Sequence, residues 1–417
     1  MNFKILKKDG KSQARLGLIE TRNGVIETPY FIPVSTLGSL RSLDTRDMDE
    51  LGVQCSLCNT YHLHLRPGDE LVKRMGGIHK FMNFPRPLFS DSGGFQAFSL
   101  GFAREHNIGK IGFFPAELSA RRGSPKPPEV SGRRRPATSE ACERPGENLT
   151  KISDEGIHFK SIYDGSWHFF DAKKSMEIQS NLDTDIIMAF DECTSPFSNY
   201  EYTKKSMERT HNWAKKSLQY HDKKQALYGI IQGGCFEDLR DESTKFISSL
   251  GCEGIAIGGS LGNCKADMHR ILEWVVPKLD SRPRHLLGIG DIDDLFECVE
   301  RGIDTFDCVS PTRNARRGGL FVLPQSGGSI ENKFRINIGG EKYKEDSQPI
   351  DPACGCSTCQ NYSRAYLRHL LSVGELSYYR LASIHNVHFM LRLMESIRES
   401  LKNGNFFELK KQWLGKM

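Results

Sequence analysis

The sequence ALYGIIQGGCFEDLRDESTKFISSLGCEGIAI, residues 226–257, contains two short apolar runs separated by a helical pattern. The apolar runs are rich in residues that favour strands, and the segment between them has apolar residues at helical spacing. The same alternation recurs along most of the chain, which predicts an α/β protein built on a (β/α)8 TIM barrel. An open doubly wound sheet is the alternative architecture. The predicted strands are Tyr30–Val34, Val53–Cys58, Pro87–Ser90, Asp185–Phe190, Ala226–Ile231, Gly254–Ile257, Arg284–Ile289 and Asp304–Val309.

Helical patterns follow most of these strands. In one of them acidic residues open the helix and Gly302 follows it, which suits the helix dipole and a C-terminal cap. The last pattern is long and amphipathic, with apolar residues every three or four positions. The predicted helices are Asp44–Leu51, Asp69–Met75, Lys173–Leu182, Glu201–Gln219, Phe236–Ser249, Lys265–Val276, Asp291–Arg301 and Leu381–Leu401.

Two segments interrupt the alternation. Residues 310–380 separate the last strand from the last barrel helix and contain a cluster of cysteines. Residues 101–150 include a stretch that is rich in Pro, Gly, Arg and Ser and almost free of apolar residues, so we expect a disordered insertion there. The run IHFKSIYDGSWHFF, residues 157–170, predicts a β-hairpin whose turn is Asp164–Gly165.

Composition excludes several classes of protein. Hydrophobic residues make up 38% of the chain and charged residues 26%, as in soluble globular proteins. No apolar run approaches the roughly 18 residues that cross a bilayer, and the start MNFKILKKDG lacks the apolar core of a signal peptide. We therefore expect a cytoplasmic protein that does not act on a membrane. The net charge of +5 permits a nucleic-acid partner without arguing for one.

The cysteine cluster predicts a metal site. Cys354, Cys356 and Cys359 lie within six residues, and His385 follows them in the chain. Three thiolates and one imidazole are a standard ligand set for one structural zinc ion, and His388 is a weaker candidate for the fourth ligand. The alternative is that these thiols are unrelated to one another and bind no metal. Cys55 and Cys58 form a C-x2-C inside the second predicted strand, and for them we expect core packing. The expected organisation is a barrel over 1–309, a zinc-binding insertion over 310–380, and a final barrel helix with a tail over 381–417.

Polar residues follow several predicted strands at the point where each strand ends. In a TIM barrel these positions meet at one mouth and form the active site. Carboxylates, an amide and exposed backbone suit a planar hydrogen-bonding ligand such as a guanine-like base. Asp91 and Asp307 suit glycosyl chemistry, in which one carboxylate attacks or stabilises the sugar carbon and the other moves a proton. Position alone does not decide which aspartate is the nucleophile.

The motifs at these strand ends resemble those of one family. DSGGFQ at 91–96, MAFDECT at 188–194, IIQGG at 230–234 and FDCVSPTRNAR at 306–316 are similar to the tRNA-guanine transglycosylases, most closely the bacterial type. AIGG at 256–259, NTYHLHLRPG at 59–68, CQNYSRAYLRHLL at 359–371 and the C-x-C-x2-C with IHN match as well. The resemblance covers roughly residues 1–100 and 150–402, and the motifs together are highly specific.

The resemblance implies a zinc-containing barrel, commonly a homodimer, that acts in queuosine biosynthesis as a pentosyltransferase. Such an enzyme removes guanine from the wobble position of tRNAs with GUN anticodons, those for Asp, Asn, His and Tyr, and inserts a 7-deazaguanine base. A single-stranded anticodon loop makes this reaction easier, because the base must leave the stack.

The resemblance also implies residue roles. Asp307 is the nucleophile that bonds to the ribose C1′, and Asp91 is the general acid/base. The residues that bind the base are Asp191, Gln232 and Gly259, with Ser92, Gly93, Gly94 and Phe95 shaping the pocket. The residues that contact the RNA are Thr312, Arg313, Asn314, Ala315 and Arg316, together with Gly288, Ile289, Gly290, Asp291, Ile292, Asp293 and Asp294. In the alternative interpretation, the arginines after Asp307 form only a solvated basic turn and do not contact RNA.

Two features depart from the family pattern. The link at about 101–150 is some 50 residues longer than usual, and its role stays open between appendage and lid. The run Ser260-Leu261-Gly262 is one residue shorter than in bacterial members and begins with a small residue, which is associated with room for queuine. Cys193, on the opposite wall of the expected pocket, is the residue that bacterial members have. PreQ1 is therefore our first expectation for the incoming base, and queuine stays open.

Two other functions remain possible at this level. A non-catalytic tRNA-binding subunit of the same family is expected to lack an essential aspartate, and both are present here. A barrel nucleoside hydrolase or glycosidase predicts activity on free nucleosides and no need for Arg313 or Arg316.

Overall fold

The computed structural model describes residues 1–96, 150–259 and 261–415. Strands are numbered in chain order through these ranges. They are β1 Asn2–Lys8, β2 Arg15–Thr21, β3 Gly24–Thr28, β4 Tyr30–Ser35, β5 Ser56–Cys58, β6 Leu88–Ser90, β7 Thr150–Ile152, β8 Ile157–Lys160, β9 Trp167–Phe170, β10 Ile186–Met188, β11 Ala226–Ile231, β12 Gly254–Ile257, β13 Arg284–Leu286, β14 Thr305–Cys308, β15 Gly319–Phe321 and β16 Arg335–Asn337.

Helices surround these strands in the sequence order that a (β/α)8 barrel requires. They are α1 Thr45–Glu50, α2 Thr60–Leu65, α3 Asp69–Arg74, α4 Ile78–Met82, α5 Ala172–Leu182, α6 Tyr200–Tyr220, α7 Glu237–Ser249, α8 Lys265–Val275, α9 Ile292–Glu300, α10 Ser310–Ala315, α11 Ser357–Asn361, α12 Arg364–Val373, α13 Leu376–Asn403 and α14 Phe406–Leu414.

Eight parallel strands close into a barrel, which confirms the predicted architecture. The order around the barrel is β4, β5, β6, β10, β11, β12, β13 and β14. β14 returns to β4 through pairs such as Thr305 with Tyr30, so the sheet has no free edge. This closure excludes the open doubly wound sheet.

Burial on both faces explains why the barrel strands were recognisable. Every residue of β4 and of β11 is buried, because one face fills the barrel interior and the other packs against the helices. Such strands have continuous apolar runs, and each of the eight overlaps a predicted run. Their ends differ by up to three residues; the second, predicted from Val53, begins at Ser56.

Three small antiparallel sheets lie outside the barrel in the described part of the chain, and the smallest pairs β15 with β16. β1, β2 and β3 form one sheet before the first barrel strand, and it was not predicted from the sequence. β7, β8 and β9 form another, and β8 with β9 is the predicted hairpin around Asp164–Gly165. Of the insertion predicted to be disordered, residues 101–149 lie outside the described residues, and Thr150 begins β7.

The C-terminal region wraps back onto the barrel. α13 begins at Leu376 instead of Leu381, so the expected boundary at residue 380 falls within this helix. Its buried side chains include His385 and Asn386, and the Asn386 side chain donates to the backbone of Pro311 and accepts from that of Phe321. The helix therefore connects the 310–380 segment to the barrel. Within the described ranges, no helix is both long and apolar enough to cross a membrane.

Candidate active site and metal centre

The predicted site residues meet at the carboxyl ends of the barrel strands. Asp91 follows β6, Asp191 follows β10 and Gln232 follows β11. Gly259 follows β12, and Asp307 lies near the end of β14. Because all eight strands are parallel, these ends form one mouth of the barrel.

The Asp91 carboxylate is held by three donors. Oδ1 accepts from the Thr60 backbone N–H at 2.9 Å, and Oδ2 accepts from Gln96 Nε2 at 3.0 Å and from the Asn59 side-chain amide. Burial raises the pKa of Asp91 to about 7, the Thr60 N–H opposes this, and the negative charge of Asp307 raises it further. A carboxyl group with such a pKa is able to gain or lose a proton near neutral pH, which is what a general acid/base requires.

Asn59 and Thr60 are site residues that sequence reasoning did not assign. They belong to the NTYHLHLRPG motif, at the start of α2. Asn59 caps this helix by accepting from the His62 backbone N–H at 3.0 Å, while its amide group faces Asp91. In the sequence, Asn59 is recognisable only as a helix N-cap, a position whose role is usually structural.

The residues predicted to bind the base are arranged around Asp191, which is buried. Ser92 Oγ donates to Asp191 Oδ1 at 2.7 Å, and Gln232 Nε2 donates to Oδ2 at 2.8 Å. Burial raises the pKa of Asp191 to about 6, and the hydrogen bonds from Ser92 and Gln232 oppose the rise. Among the described residues, Gln232 Oε1 is buried without a hydrogen-bond partner. Such an acceptor is costly unless a ligand donor reaches it.

Two glycines are required by the close packing of this pocket. A Cβ on Gly259, whose φ is +81°, would lie 2.0 Å from Gln232 Oε1. A Cβ on Gly94 would lie 2.4 Å from the Asp191 carbonyl oxygen. Gly93 is buried next to Phe170 and Thr60, and Phe95 is half-buried. Ser260, one of the residues that departs from the family pattern, lies outside the described residues.

The segment after Asp307 forms α10 and carries a group of positive charges. Thr312 and Ala315 are buried, whereas Arg313, Asn314 and Arg316 are half-exposed. Burial lowers the pKa of Arg316, and the nearby charges of Arg41, Arg313 and Arg317 lower it further. These four arginines form no ion pair with any carboxylate in the described part of the chain. They therefore offer a positive surface beside the mouth.

The segment 288–294 divides into an exposed turn and an acidic cluster in which Asp294 is buried and Asp291 and Asp293 are half-buried. Gly288 is exposed and Ile289 is half-buried, whereas Gly290 and Ile292 are buried. The aspartates of the segment surround one ammonium group, Lys265 Nζ. That atom lies 2.7 Å from Asp293, 3.1 Å from Asp294 and 3.7 Å from Asp291.

The predicted metal ligands form one buried cluster. The ligand atoms of Cys354, Cys356, Cys359 and His385 all lie within 4.8 Å of one another. The three sulfurs lie 3.3 to 3.7 Å from His385 Nδ1, and His385 Nε2 donates to the Phe321 carbonyl oxygen at 2.7 Å. That second hydrogen bond orients the ring, as is usual for a histidine that binds a metal. The cluster is able to hold a metal ion.

The weaker candidates are placed differently. His388 Nδ1 lies 3.5 Å from Cys354 Sγ, but the residue is half-exposed and stands outside the four-ligand group. Cys55 and Cys58 are fully buried in the hydrophobic core, as the core-packing interpretation expected.

Comparison with known proteins agrees with this arrangement. A family described as queuine tRNA-ribosyltransferase matches residues 9–115 and 139–417. The chain belongs to this family. A relative from Archaeoglobus fulgidus is 52% identical over the whole of both chains. Queuine tRNA-ribosyltransferases from Roseiflexus sp. strain RS-1 and Fusobacterium nucleatum are 43% and 41% identical over at least 97% of each chain.

Membership of the queuine tRNA-ribosyltransferase family decides between the functions left open by the residues. The chain is a tRNA-guanine transglycosylase of queuosine formation, and so an enzyme of the pentosyltransferase class. Family membership excludes the unrelated hydrolase or glycosidase. A non-catalytic subunit of the same family is expected to lack an essential aspartate, whereas Asp91 and Asp307 are both present. Residues 116–138, inside the predicted insertion, fall outside the family match.

Proposed function

We propose that this transglycosylase replaces guanine at the wobble position of tRNAs with GUN anticodons by a 7-deazaguanine base through a covalent enzyme–RNA intermediate. The tRNAs are those for Asp, Asn, His and Tyr, which are substrates in the cytoplasm. PreQ1 is the first expectation for the incoming base, and queuine is the alternative. The supporting observation is that the carboxylates at the barrel mouth have different surroundings: Asp91 is enclosed by donors and has a raised pKa, and Asp307 lies at the end of β14 beside the arginine group.

The reaction divides between these two aspartates. A carboxylate oxygen of Asp307 attacks the ribose C1′ as the bond from C1′ to guanine N9 breaks, and Asp91 donates a proton to the leaving guanine. Asp91 then accepts a proton from the incoming base as that base displaces Asp307 from C1′. Proton and leaving group therefore balance over one cycle.

The pocket explains why a guanine-like base is bound. Asp191 accepts from ring and exocyclic N–H groups, and the unpaired Gln232 Oε1 is a further acceptor. Gly259 lets its backbone come close to the ring, because no Cβ fits there. Ser92, Gly93, Gly94 and Phe95 form the wall on the Asp91 side.

The RNA contacts are assigned to the surface beside the mouth. In α10 and at its C-terminal cap, the side chains of Arg313, Asn314 and Arg316 are accessible, whereas Thr312 and Ala315 contribute through the position of the backbone. In the 288–294 segment, the turn at Gly288 and Ile289 is accessible to the RNA backbone. The charges of Asp291, Asp293 and Asp294 are engaged by Lys265, which limits their repulsion of phosphates.

We assign the metal as one zinc ion with a structural role. Three thiolates and one imidazole complete a tetrahedral set and leave no open position for water, which is typical of structural zinc. We also propose that residues 310–380 act as an insertion that this ion attaches to α13. Thr358 Oγ1 donates to the Leu381 carbonyl oxygen at 2.8 Å and supports the same attachment.

A homodimer is proposed through the surface near this centre. Tyr362 and Tyr366 stack at 5.5 Å between ring centroids and are both exposed. Val373, at the end of α12, and Leu376, at the start of α13, are also exposed, and Leu376 is 78% exposed. Exposed apolar groups of this kind support a protein interface. Light scattering should give a mass near twice 47.1 kDa.

The proposed function is tested by base exchange. Unmodified tRNA with a GUN anticodon is incubated with labelled guanine, preQ1 or queuine, and the label in the RNA is counted. The same tRNA with position 34 changed from G to A is the matched control. We expect incorporation only into the GUN tRNA. Equal incorporation into both RNAs, or release of guanine from free guanosine alone, would refute the proposal.

Asp191→Asn should separate base recognition from RNA binding. The side-chain amide of the introduced asparagine would point an N–H group at the N–H donors of the base, so we expect the KM for the incoming base to rise about 100-fold. The Kd for tRNA should stay within about threefold, because phosphate contacts supply most RNA affinity. Steady-state exchange and a filter-binding assay measure the two quantities. An unchanged KM for the base would show that Asp191 does not bind the base.

The rate of adduct formation should fall as pH rises through about 7. Asp91 must carry a proton to protonate the leaving guanine, and it carries that proton below its raised pKa of about 7. Above this pH the single-turnover rate constant should decrease roughly tenfold per pH unit. Asp91→Asn should be slow and should lose this dependence. A wild-type rate that is constant between pH 6 and 9 would contradict the assignment.

A further inference from the structure

His285 lies next to the proposed nucleophile, yet no motif in the sequence assigns it a role. It is fully buried in β13 and pairs in register with Thr305 of β14. Its Nε2 atom lies 3.3 Å from Asp307 Oδ1. Within residues 1–96, 150–259 and 261–415, that nitrogen is buried and has no hydrogen-bond partner of its own. Leaving it unpaired costs free energy unless Asp307 accepts from it.

We propose that His285 is a positioning residue that holds the Asp307 carboxylate for attack on the ribose. The inference rests on the proposed role of Asp307 as nucleophile. Nε2–H donates to Oδ1, and the opposite oxygen, Oδ2, remains available to form the bond to C1′. The separation of 3.3 Å is long for a hydrogen bond, as is common for catalytic contacts before substrate binds.

The surroundings of the ring decide which nitrogen carries the proton. Nδ1 lies 2.9 Å from Thr305 Oγ1, a hydroxyl that is able to donate. If Nδ1 carried the only proton, the lone pair of Nε2 would face the negative oxygen of Asp307. With the proton on Nε2, Thr305 donates to Nδ1 and His285 donates to Asp307, so both contacts are favourable.

A second donor acts on the same oxygen of Asp307. The Gly288 backbone N–H donates to Oδ1 at 3.0 Å. Two donors on one oxygen restrict rotation of the carboxylate and direct its other oxygen away from β13. The His285 ring itself is held by Phe89, which stacks on it at 5.5 Å with an interplanar angle of 29°. The donor is therefore fixed before substrate arrives, which is the condition for positioning catalysis.

Two pairs of variants test the proposal. His285→Phe removes the donor and keeps a planar ring, whereas His285→Gln keeps an N–H near the Nε2 position. Thr305→Val removes the hydroxyl that orients the imidazole, whereas Thr305→Ser keeps it. The measurements are the single-turnover rate constant for adduct formation at saturating tRNA, the Kd for that tRNA, and the thermal unfolding midpoint.

We expect His285→Phe to slow adduct formation by on the order of 30-fold, with the tRNA Kd within about threefold of wild type. His285→Gln should form the adduct about tenfold faster than His285→Phe, and Thr305→Val should form it about fivefold more slowly than Thr305→Ser. A merely structural histidine would instead lower the unfolding midpoint without such rescue.

The outcomes separate this inference from the proposed function. If wild type forms no adduct, or if Asp307→Asn forms one, the proposed nucleophile is wrong. If Asp307→Asn forms none while folded His285→Phe reacts at the wild-type rate, only the role of His285 is wrong. If His285→Phe does not fold, the Thr305 pair decides: equal rates for Thr305→Val and Thr305→Ser overturn the inference.

Discussion

Replacing Asp307 by Asn is expected to lower kcat for guanine exchange by at least about 10³-fold and to abolish the covalent adduct with tRNA. Asparagine has nearly the same shape and still accepts from the Gly288 N–H. Its neutral amide oxygen, however, is a poor nucleophile toward C1′. The change therefore removes the chemistry while it leaves the geometry of the site in place.

The measurement combines a denaturing gel with labelled tRNA and a guanine-exchange assay at saturating substrates. Asp280→Asn is the matched control, because Asp280 precedes β13 and forms a surface ion pair with Arg282. Such pairs contribute little, so its exchange rate and adduct should equal those of wild type. An adduct that persists in Asp307→Asn would show that another residue is the nucleophile, and Asp91 would be the next candidate.

Loss of one metal ligand should have the largest effect on stability. We expect Cys356→Ala to reduce the free energy of unfolding by on the order of 5 kcal/mol, because metal binding and folding are coupled at a buried ligand cluster. The 310–380 segment would lose its attachment to α13, and three unsatisfied ligands would remain buried. Chemical denaturation followed by circular dichroism gives the free energy, and elemental analysis gives the metal content.

Cys252→Ala is the matched control for this prediction. Cys252 is equally buried but lies in the hydrophobic core far along the chain from the cluster. Its loss should cost only about 1 kcal/mol. Chelation of wild type should inactivate slowly, in step with unfolding. Fast inhibition that added metal reverses at once, with no loss of structure, would indicate a catalytic ion instead.

The barrel was predictable because its strands are buried on both faces. Runs such as Ala226–Ile231 and Gly254–Ile257 have the same bounds in the structure as in the sequence prediction. The sheet of β1–β3 was missed because β1 and β3 are largely exposed and show no clear apolar face. Periodicity detects a side chain that is buried, and these strands bury few.

The site was predictable as a set of residues and not as a network of contacts. Asp91, Asp191 and Asp307 each stand at a strand end with a recognisable motif. Two of the three donors to Asp91, Asn59 and Thr60, come from the start of α2, more than 30 residues earlier, and the partner of Asp307 in β13 is a lone buried histidine. No local pattern marks such partners, because they are brought close by the barrel.

The sequence by itself predicted the barrel, the four candidate metal ligands and the two aspartates to which we assign the reaction. The barrel and the ligand set follow from residue types and spacings, and the aspartates follow from strand-end positions together with the family resemblance. Only the tertiary structure decided how the aspartates differ. Burial and the nearby charge of Asp307 raise the pKa of Asp91 to about 7, while the Gly288 N–H contacts Asp307. A carboxylate's proton affinity depends on groups distant in the sequence that the fold places around it, so the difference between the surroundings of the two aspartates is a property of the folded chain.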